Sequence, residues 1–282
     1  MNQYMSDSSF TDLDPRKLIL DPNMQARDPE LIANNKDREA QMRKQDSQDR
    51  EILDDLLNGG TIRQPITVFE VGDKLYVVDG FHRTKAALQF LDKRPEETLK
   101  VNAKLIKNRT YEEAFIAAQY MNQGHGVGVS KTEVQQSMFR TLVVQRQFSF
   151  SVSELRKKFS CSQGQATHIQ RALKACSEVL YDLSSDKQIS VVHLIDILHD
   201  RLKEKYNLTA SAWDSKRFPR IRKLSDAYTG KELPLVDDDE KLRQLIGNTR
   251  KDIEKLINVC GAGVFREALR KAVRGQELGI AV

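Results

Sequence analysis

Four helix-start signals within about fifty-five residues constrain this chain more than any other sequence feature. Each follows the pattern Ser/Thr-x-x-Glu/Gln, at Thr110 with Glu113, Ser130 with Glu133, Ser151 with Glu154, and Ser162 with Gln165. In such a capping box, two side chains each accept a hydrogen bond from a backbone N–H that would otherwise have no partner at the helix start. The pattern therefore predicts a succession of short helices through the middle of the chain.

A different pattern precedes these helices. Two runs rich in strand-forming residues, Pro65 to Glu70 and Lys74 to Asp79, flank Val71-Gly72-Asp73, and this arrangement predicts an antiparallel hairpin. A helix over Glu51 to Leu57 should end at the following Asn-Gly-Gly, a helix over Thr84 to Leu91 should pack on the sheet, and Val101 to Ile106 should add a strand. The expected class is α+β, with a small mixed-sheet domain followed by helices.

The predicted organisation has three parts, residues 1–109, 110–184 and 185–282. The first fifty residues suggest a weakly ordered leader, followed by a charged stretch that is either a solvated helix or a loose insertion. In the last part, Ser190 to Lys205 predicts a buried helix, and Ser211 to Pro219 a loose hinge. Lys216 to Lys223 is a basic cluster that either extends a nucleic-acid footprint or forms a solvated loop. The apolar face of Leu242, Leu245, Ile246, Ile253, Leu256 and Ile257 suits a dimer contact or internal packing.

Composition and charge narrow the possible classes of function further. The formal net charge is only +5, but Lys131 to Lys174 holds eight basic residues against two acidic ones, a local net charge of +6. Three widely spaced cysteines indicate neither a disulfide framework nor a zinc site. The polar, acidic N-terminus and the lack of a long apolar run predict a cytoplasmic protein with no membrane segment.

The segment Asp79-Gly80-Phe81-His82-Arg83 lies where the predicted hairpin passes directly into a helix. Helix N-terminal N–H groups and the positive end of the helix dipole favour an anion at such a position. Gly80 allows close approach of the backbone, His82 can donate a hydrogen bond, and Arg83 offers a planar fork that matches a phosphate. The alternative is a tight turn in which Arg83 forms a salt bridge to a nearby carboxylate, and both interpretations stay open.

From about Leu13 to Leu180 the succession of helix, Gly-Gly, Gln-Pro-Ile-Thr-Val, hairpin and Asp-Gly-Phe-His-Arg resembles the ParB/sulfiredoxin superfamily. The resemblance implies that Gly80, His82 and Arg83 contact nucleotide phosphates, with CTP and Mg²⁺ as the ligand. Phe81 stands where sulfiredoxins carry a cysteine, which argues against sulfiredoxin chemistry.

The run Asn122-Gln123-Gly124-His125-Gly126 resembles the Asn-x-x-His-Gly variant of ParB-like regulators more than the Glu-Asn-x-x-Arg of chromosomal ParB. This resemblance adds Asn122 to the candidate nucleotide-binding residues. A capped helix end followed by a glycine-rich turn is the alternative.

The segment that begins at Val152 matches the apolar positions of a helix-turn-helix, which fall on Leu155, Phe159, Cys161, Ala166 and Ile169. The second helix would then enter the major groove. Its side chains available to read bases are Gln163, Gln165, Thr167, His168, Gln170 and Arg171. Arg156, Lys157 and Lys158 would bind phosphates. The alternative is an ordinary helical hairpin with a solvated polar face, which has the same sequence pattern.

Together these features predict a sequence-specific, nucleoid-associated protein of ParB type that binds double-stranded DNA as a homodimer. Its expected role is transcription regulation or partition of a plasmid or mobile element, with nucleotide as a switch. A ParB-like nuclease or CTP-hydrolysing enzyme is the alternative, although Asp79 is the one carboxylate at the turn. A scaffolding or inhibitory protein that kept the fold and lost the chemistry is a third class.

Overall fold

The computed structural model describes residues 8–32, 35–121, 130–183, 189–230, 250 and 253–277. The fold is α+β, with a five-stranded mixed sheet in the N-terminal part followed by helices. Two compact units are present, Met1–Lys231 and Glu232–Val282. None of the helices in these ranges is long and apolar enough to cross a membrane.

The sheet has the strand order β1-β5-β3-β4-β2. Its strands are β1 (Ser8–Leu13), β2 (Leu18–Ile19), β3 (Ile66–Val71), β4 (Lys74–Asp79) and β5 (Val101–Ile106). The pairs β1·β5 and β3·β4 are antiparallel, whereas β3·β5 and β2·β4 are parallel. The predicted hairpin and the strand at Val101–Ile106 are confirmed.

The helices lie mainly after the sheet. They are α1 (Asn35–Leu57), α2 (Phe81–Lys93), α3 (Tyr111–Met121), α4 (Lys131–Val144), α5 (Val152–Phe159), α6 (Gln163–Val179), α7 (Val191–Tyr206), α8 (Ile221–Tyr228) and α9 (Ala262–Glu277), with a further helical stretch at 253–260. The boxes at Ser130, Ser151 and Ser162 form in full, and Thr110 exchanges the same two bonds with Glu113.

The prediction of a weakly ordered leader is wrong for the part of it that the structure describes. Residues 8–13 form edge strand β1, because their backbone pairs with β5, a partner about ninety residues later. Met24, Ala26 and Leu31 are buried in the interior. The charged stretch joins the predicted apolar helix in one continuous helix, α1, which ends before the Asn-Gly-Gly as expected.

Both faces of the sheet are covered. One face carries Val68, Val77 and Ala103, which pack with Ala87 of α2, and α1 packs in turn on α2. The opposite face carries Phe69, Val78 and Ile106, which join one apolar core with α3 to α8. Alternate strand residues point to opposite faces, so the strands read as almost continuous apolar runs.

A buried ionic network centred on Arg140 of α4 joins distant stretches of chain. Its guanidinium, 0% exposed, donates to the carboxylates of Asp28 at 3.1 Å and Asp214 at 2.8 Å. It also donates to the backbone carbonyl of Ala26 and the side chain of Gln119, each at 3.4 Å. Because buried charges are tolerated only when they are paired and hydrogen-bonded, this network fixes the relative positions of the N-terminal segment, α3, α4 and the 214–218 loop.

The 211–219 segment is not the loose hinge that its sequence suggests. The Asp214 carboxylate accepts hydrogen bonds from the backbone N–H groups of Lys216 and Phe218, and Phe218 is fully buried. Lys216 is itself buried at 5% exposure, so it belongs neither to a solvated loop nor to an exposed basic cluster. The helix at Val191–Tyr206 also departs from expectation, because Val192 is exposed and the helix buries one face only.

Replacing Arg140 with methionine should lower the free energy of unfolding by about 3–5 kcal/mol, since Asp28 and Asp214 would stay buried without their partner. The matched control is Arg201→Ala, which breaks a partly exposed ion pair with Asp182 and should cost at most about 1 kcal/mol. Urea denaturation of both variants measures the difference. Equal losses would contradict the role given to the network.

The stability of the fold should depend on the protonation of Lys216. Burial lowers the pKa of its ammonium from 10.5 to about 8, although nearby carboxylates oppose the change. Between those two pH values the unfolded chain holds this proton more tightly than the folded chain, so the contribution of Lys216 to stability rises with pH by on the order of 3 kcal/mol. Urea denaturation across this range should show a steeper rise for the parent protein than for Lys216→Met. Parallel curves would contradict the assignment.

Candidate functional site

Gly80 connects β4 directly to α2 and adopts a left-handed conformation with φ +101°. A Cβ atom at this position would lie 2.5 Å from Cγ2 of Ile66, a fully buried residue of β3. Both the backbone conformation and the close packing therefore require glycine. Gly80, the N-cap residue, has no side chain with which to cap α2, and the first residues of the helix line a cavity.

A cavity of about 380 Å³ opens at this turn. Gly80, His82 and Arg83 all line it, so the structure brings these three predicted residues together. The fourth nucleotide candidate, Asn122, lies outside the described residues. The cavity is also lined by residues that the sequence did not single out, among them Gln25, Arg27, Gln48, Glu51, Asp55 and Arg63. Its arginines are accompanied by carboxylates, so the lining is mixed in charge rather than uniformly basic.

His82 is held by a carboxylate on the neighbouring helix. Its Nδ1 lies 2.5 Å from Oδ1 of Asp49, and Oδ2 of the same carboxylate accepts from Lys85 at 2.7 Å. Burial alone would raise the pKa of the Asp49 carboxyl, but hydrogen bonds from His82 and Lys85 lower it below its usual value. The ionised carboxylate fixes the proton on Nδ1, which leaves Nε2 beside Arg27 at 3.5 Å.

Arg83 makes the contacts expected of the tight-turn alternative. One nitrogen of its guanidinium donates to the backbone carbonyls of Gln64 at 3.0 Å and Pro65 at 2.7 Å. The other nitrogen donates to Asp79 at 2.9 Å. Arg83 therefore ties the turn to the start of β3 in this structure, and an incoming phosphate would have to share its guanidinium with Asp79.

Asp49 and Arg27 were missed by the sequence reasoning for a physical reason. Asp49 lies in the charged half of α1, where the lack of an apolar stripe suggests a wholly solvated helix, yet its side chain is only 9% exposed. Arg27 lies in the segment taken for a leader and is 7% exposed. Each reaches the site through a contact with a residue more than thirty positions away, and no local pattern reports such contacts.

The second candidate site is the α5–α6 pair, two helices joined by residues 160–162. Leu155, Phe159, Ala166 and Ile169 are buried as the apolar template requires, and Cys161 is half-buried. Ser160 ends α5 in the left-handed region, with φ 46°, where glycine is common in such turns.

The predicted DNA-facing residues fall into two groups. Arg156, Lys157, Lys158, Gln163 and Gln165 are exposed, whereas Thr167 and Arg171 are half-buried. Lys158 also lies over the Phe150 ring, with Nζ 5.6 Å from its centre. Each of these side chains is thus at least partly accessible to a nucleic acid.

His168 and Gln170 are occupied by contacts within the chain. Nδ1 of His168 lies 2.9 Å from the hydroxyl of Ser225 on α8, which packs along α6. The side-chain amide of Gln170 donates to the carbonyl of Phe150 at 2.9 Å. The side-chain carbonyl of Gln165 accepts from Ser162 in the capping box, so the position best placed to read bases is Gln163.

A search against known protein families found no match, and a search of curated proteins found no similar chain. The resemblance to ParB consequently stays an expectation drawn from the sequence motifs. In the part of the chain that the structure describes, no group of three or more His, Cys, Asp or Glu side chains is arranged to hold a metal ion.

Gly80→Ala should destabilise the protein more than the matched change Gly72→Ala. Both glycines have positive φ, +101° and +62°, so an alanine in this left-handed conformation should lower the free energy of unfolding of each variant by roughly 1–2 kcal/mol. Only Gly80 also places the new methyl group against Ile66, which should add about 1–3 kcal/mol of overpacking. Thermal or urea unfolding tests the difference, and equal losses would show that the β4–α2 turn is looser than described.

Proposed function

We propose that this chain is a ParB-type, sequence-specific protein that binds double-stranded DNA as a homodimer, with CTP as a nucleotide switch. Its role is transcription regulation or partition of a plasmid or mobile element, in the cytoplasm at the nucleoid. The observation that carries the proposal is the exposed polar surface of the α5–α6 pair, on a segment with a local net charge of +6.

The chemistry of that surface favours nucleic acid. Three successive cations, Arg156, Lys157 and Lys158, stand exposed at the end of α5, where they can neutralise phosphates. Gln163 stands exposed at the start of α6, and a glutamine side chain can hydrogen-bond to base edges in the major groove. In a helix-turn-helix protein, one helix contacts the phosphates and the next helix contacts the bases.

The nucleotide part of the proposal depends on the cavity at Gly80. Its volume and the uncapped start of α2 suit a phosphate chain, and Arg27 and Arg63 line it as further donors beside His82. Asp79 is the carboxylate at the turn that would face a phosphate-bound Mg²⁺. Bound CTP would supply negative charge that competes with Asp79 for Arg83.

Support for the dimer comes from the second unit, Glu232–Val282. Leu256, Val259, Val264 and Leu269 are large apolar side chains that are each more than half exposed. Exposed apolar surface on amphipathic helices is typical of protein contacts. The predicted face residues Leu242, Leu245 and Ile246 lie outside the described residues.

Lys157→Ala and Arg171→Ala should each weaken binding to a labelled duplex of mixed sequence several-fold. For Lys157→Ala the slope of log affinity against log salt should also fall by about 1, because one phosphate contact is lost. The matched control is Lys74→Ala, which removes an exposed lysine at the β3–β4 turn and should change neither quantity. Fluorescence anisotropy at several salt concentrations measures both. Affinities of the α5–α6 variants equal to those of the parent and the control would contradict the proposal.

Repeating the titration with CTP and Mg²⁺ tests the nucleotide part separately. Nucleotide should change the DNA affinity of the parent protein, and this response should disappear in the double variant His82→Ala, Arg83→Ala. A DNA affinity that CTP does not alter would remove the switch while leaving DNA binding intact.

A further inference from the structure

A second cavity of about 330 Å³ lies beside the first and is distinct in its chemistry. The residues that characterise it are Leu20, Pro22, Arg27, Phe81, Ser215 and Lys216. It shares part of its wall with the first cavity, through Gln25, Arg27 and Phe81, but none of Gly80, His82 or Arg83 lines it.

Lys216 is the unusual member of this lining. Its side chain is buried, and its ammonium donates to the backbone carbonyl of Arg27 at 3.3 Å and to the hydroxyl of Ser215 at 3.1 Å. An ammonium has three protons to donate, and both of these acceptors are neutral. Among the described residues, no carboxylate lies within ion-pair distance of Nζ.

The charged groups around Lys216 do not contact its ammonium. They are Arg140, Asp28, Asp214 and Glu133. Arg140 binds Asp214 and Oδ2 of Asp28, while Oδ1 of Asp28 is buried with no hydrogen-bond partner among the described residues. Glu133 accepts from the backbone N–H groups of Asp28 and Ser130. Burial lowers the pKa of Lys216 to about 8, although Asp28, Asp214 and Glu133 oppose this change. A bound anion would stabilise that charge directly.

The other walls of the cavity are apolar. Leu20, Pro22 and Phe81 offer aliphatic and aromatic surface on the same lining as Lys216 and Arg27. A bare inorganic anion would leave this surface in contact with water, whereas a ligand with an apolar body would cover it. The lining therefore favours an anion that carries an apolar or aromatic group.

We propose that this cavity is a binding site for a small organic anion, whose carboxylate or phosphate contacts Lys216 and Arg27 and whose apolar part contacts Leu20, Pro22 and Phe81. The proposal does not rest on the binding of DNA, but the cavity shares Arg27 with the proposed nucleotide site, so the two ligands would compete for that residue. The cavity provides the chain with a way to sense a small molecule at the segment that the Arg140 network holds in place.

Isothermal titration of the full chain with phenyl phosphate, phenylacetate and inorganic phosphate tests this proposal. At least one of the two aromatic anions should bind at least about tenfold more tightly than inorganic phosphate, since the apolar walls add burial of a ring. The tighter of the two identifies the anionic group that the site prefers. Failure of both aromatic anions to bind, or binding no tighter than that of inorganic phosphate, would overturn the proposal.

Two variants locate the binding. Lys216→Gln should weaken it at least about tenfold, because it removes a charge-assisted contact. Gln25→Glu protects the test against a folding defect, since it replaces a half-buried glutamine of the lining with its isosteric acid, whose charge would repel the anionic group of the ligand. Gln147→Glu, the same change at an exposed glutamine outside the cavity, is its matched control. Arg63→Ala, at a residue that lines the first cavity and not the second, should bind like the parent. Unchanged affinity in a folded Gln25→Glu, or loss of binding in Arg63→Ala, would overturn the assignment.

Discussion

The guanidinium of Arg140, on α4, binds three stretches of chain that lie far apart in sequence. They are the segment at Ala26–Asp28, helix α3 through Gln119, and the loop at 214–218 through Asp214. A buried cation with two buried carboxylates is a costly arrangement unless every member is paired, so the network tolerates few alternative geometries. Gln136 extends it by donating to Asp214 and to the carbonyl of Pro219, which brings the chain to the start of α8. The sheet and the helical part of the first unit are thus joined by polar contacts as well as by the apolar core.

Both candidate sites depend on elements that this network positions. Arg27, which lines the cavity at the Gly80 turn, is adjacent to Asp28, and Lys216 lies two residues from Asp214. The α8 helix, which begins just after the network loop, packs along α6 and accepts the contact of His168. Helix α8 therefore covers α6 at His168, whereas residues 163–165 at the start of α6 are exposed to solvent.

The sequence predicted the features that local patterns encode. The hairpin at 66–79, the glycine turn at Gly80 and the helix starts at Ser151 and Ser162 all follow from a few adjacent residues whose backbone hydrogen bonds must be satisfied. The features that it missed are contacts between distant residues. Strand β1 exists because β5 offers a free edge, Asp49 is a site residue because α2 presents His82 to it, and Lys216 is buried because Arg140 fixes the loop beside it.

Arg83 and His168 show most clearly what cannot be predicted from the sequence. Residue type and spacing make both suitable for binding phosphate or bases. In the structure, however, Arg83 donates to Asp79 and two backbone carbonyls, and His168 contacts the hydroxyl of Ser225. Whether a polar side chain is available to a ligand depends on the neighbours that the fold supplies, and only the three-dimensional arrangement specifies them.

Hydrogen–deuterium exchange of the full chain with and without duplex DNA tests the central claim most directly, because it reports which surface the nucleic acid covers. We expect slower amide exchange over the turn at 160–162 and the first turns of α6 when the duplex is added, with the exposed surface of α7 unchanged. No change over the α5–α6 pair at a DNA concentration that saturates binding, with protection elsewhere, would contradict it.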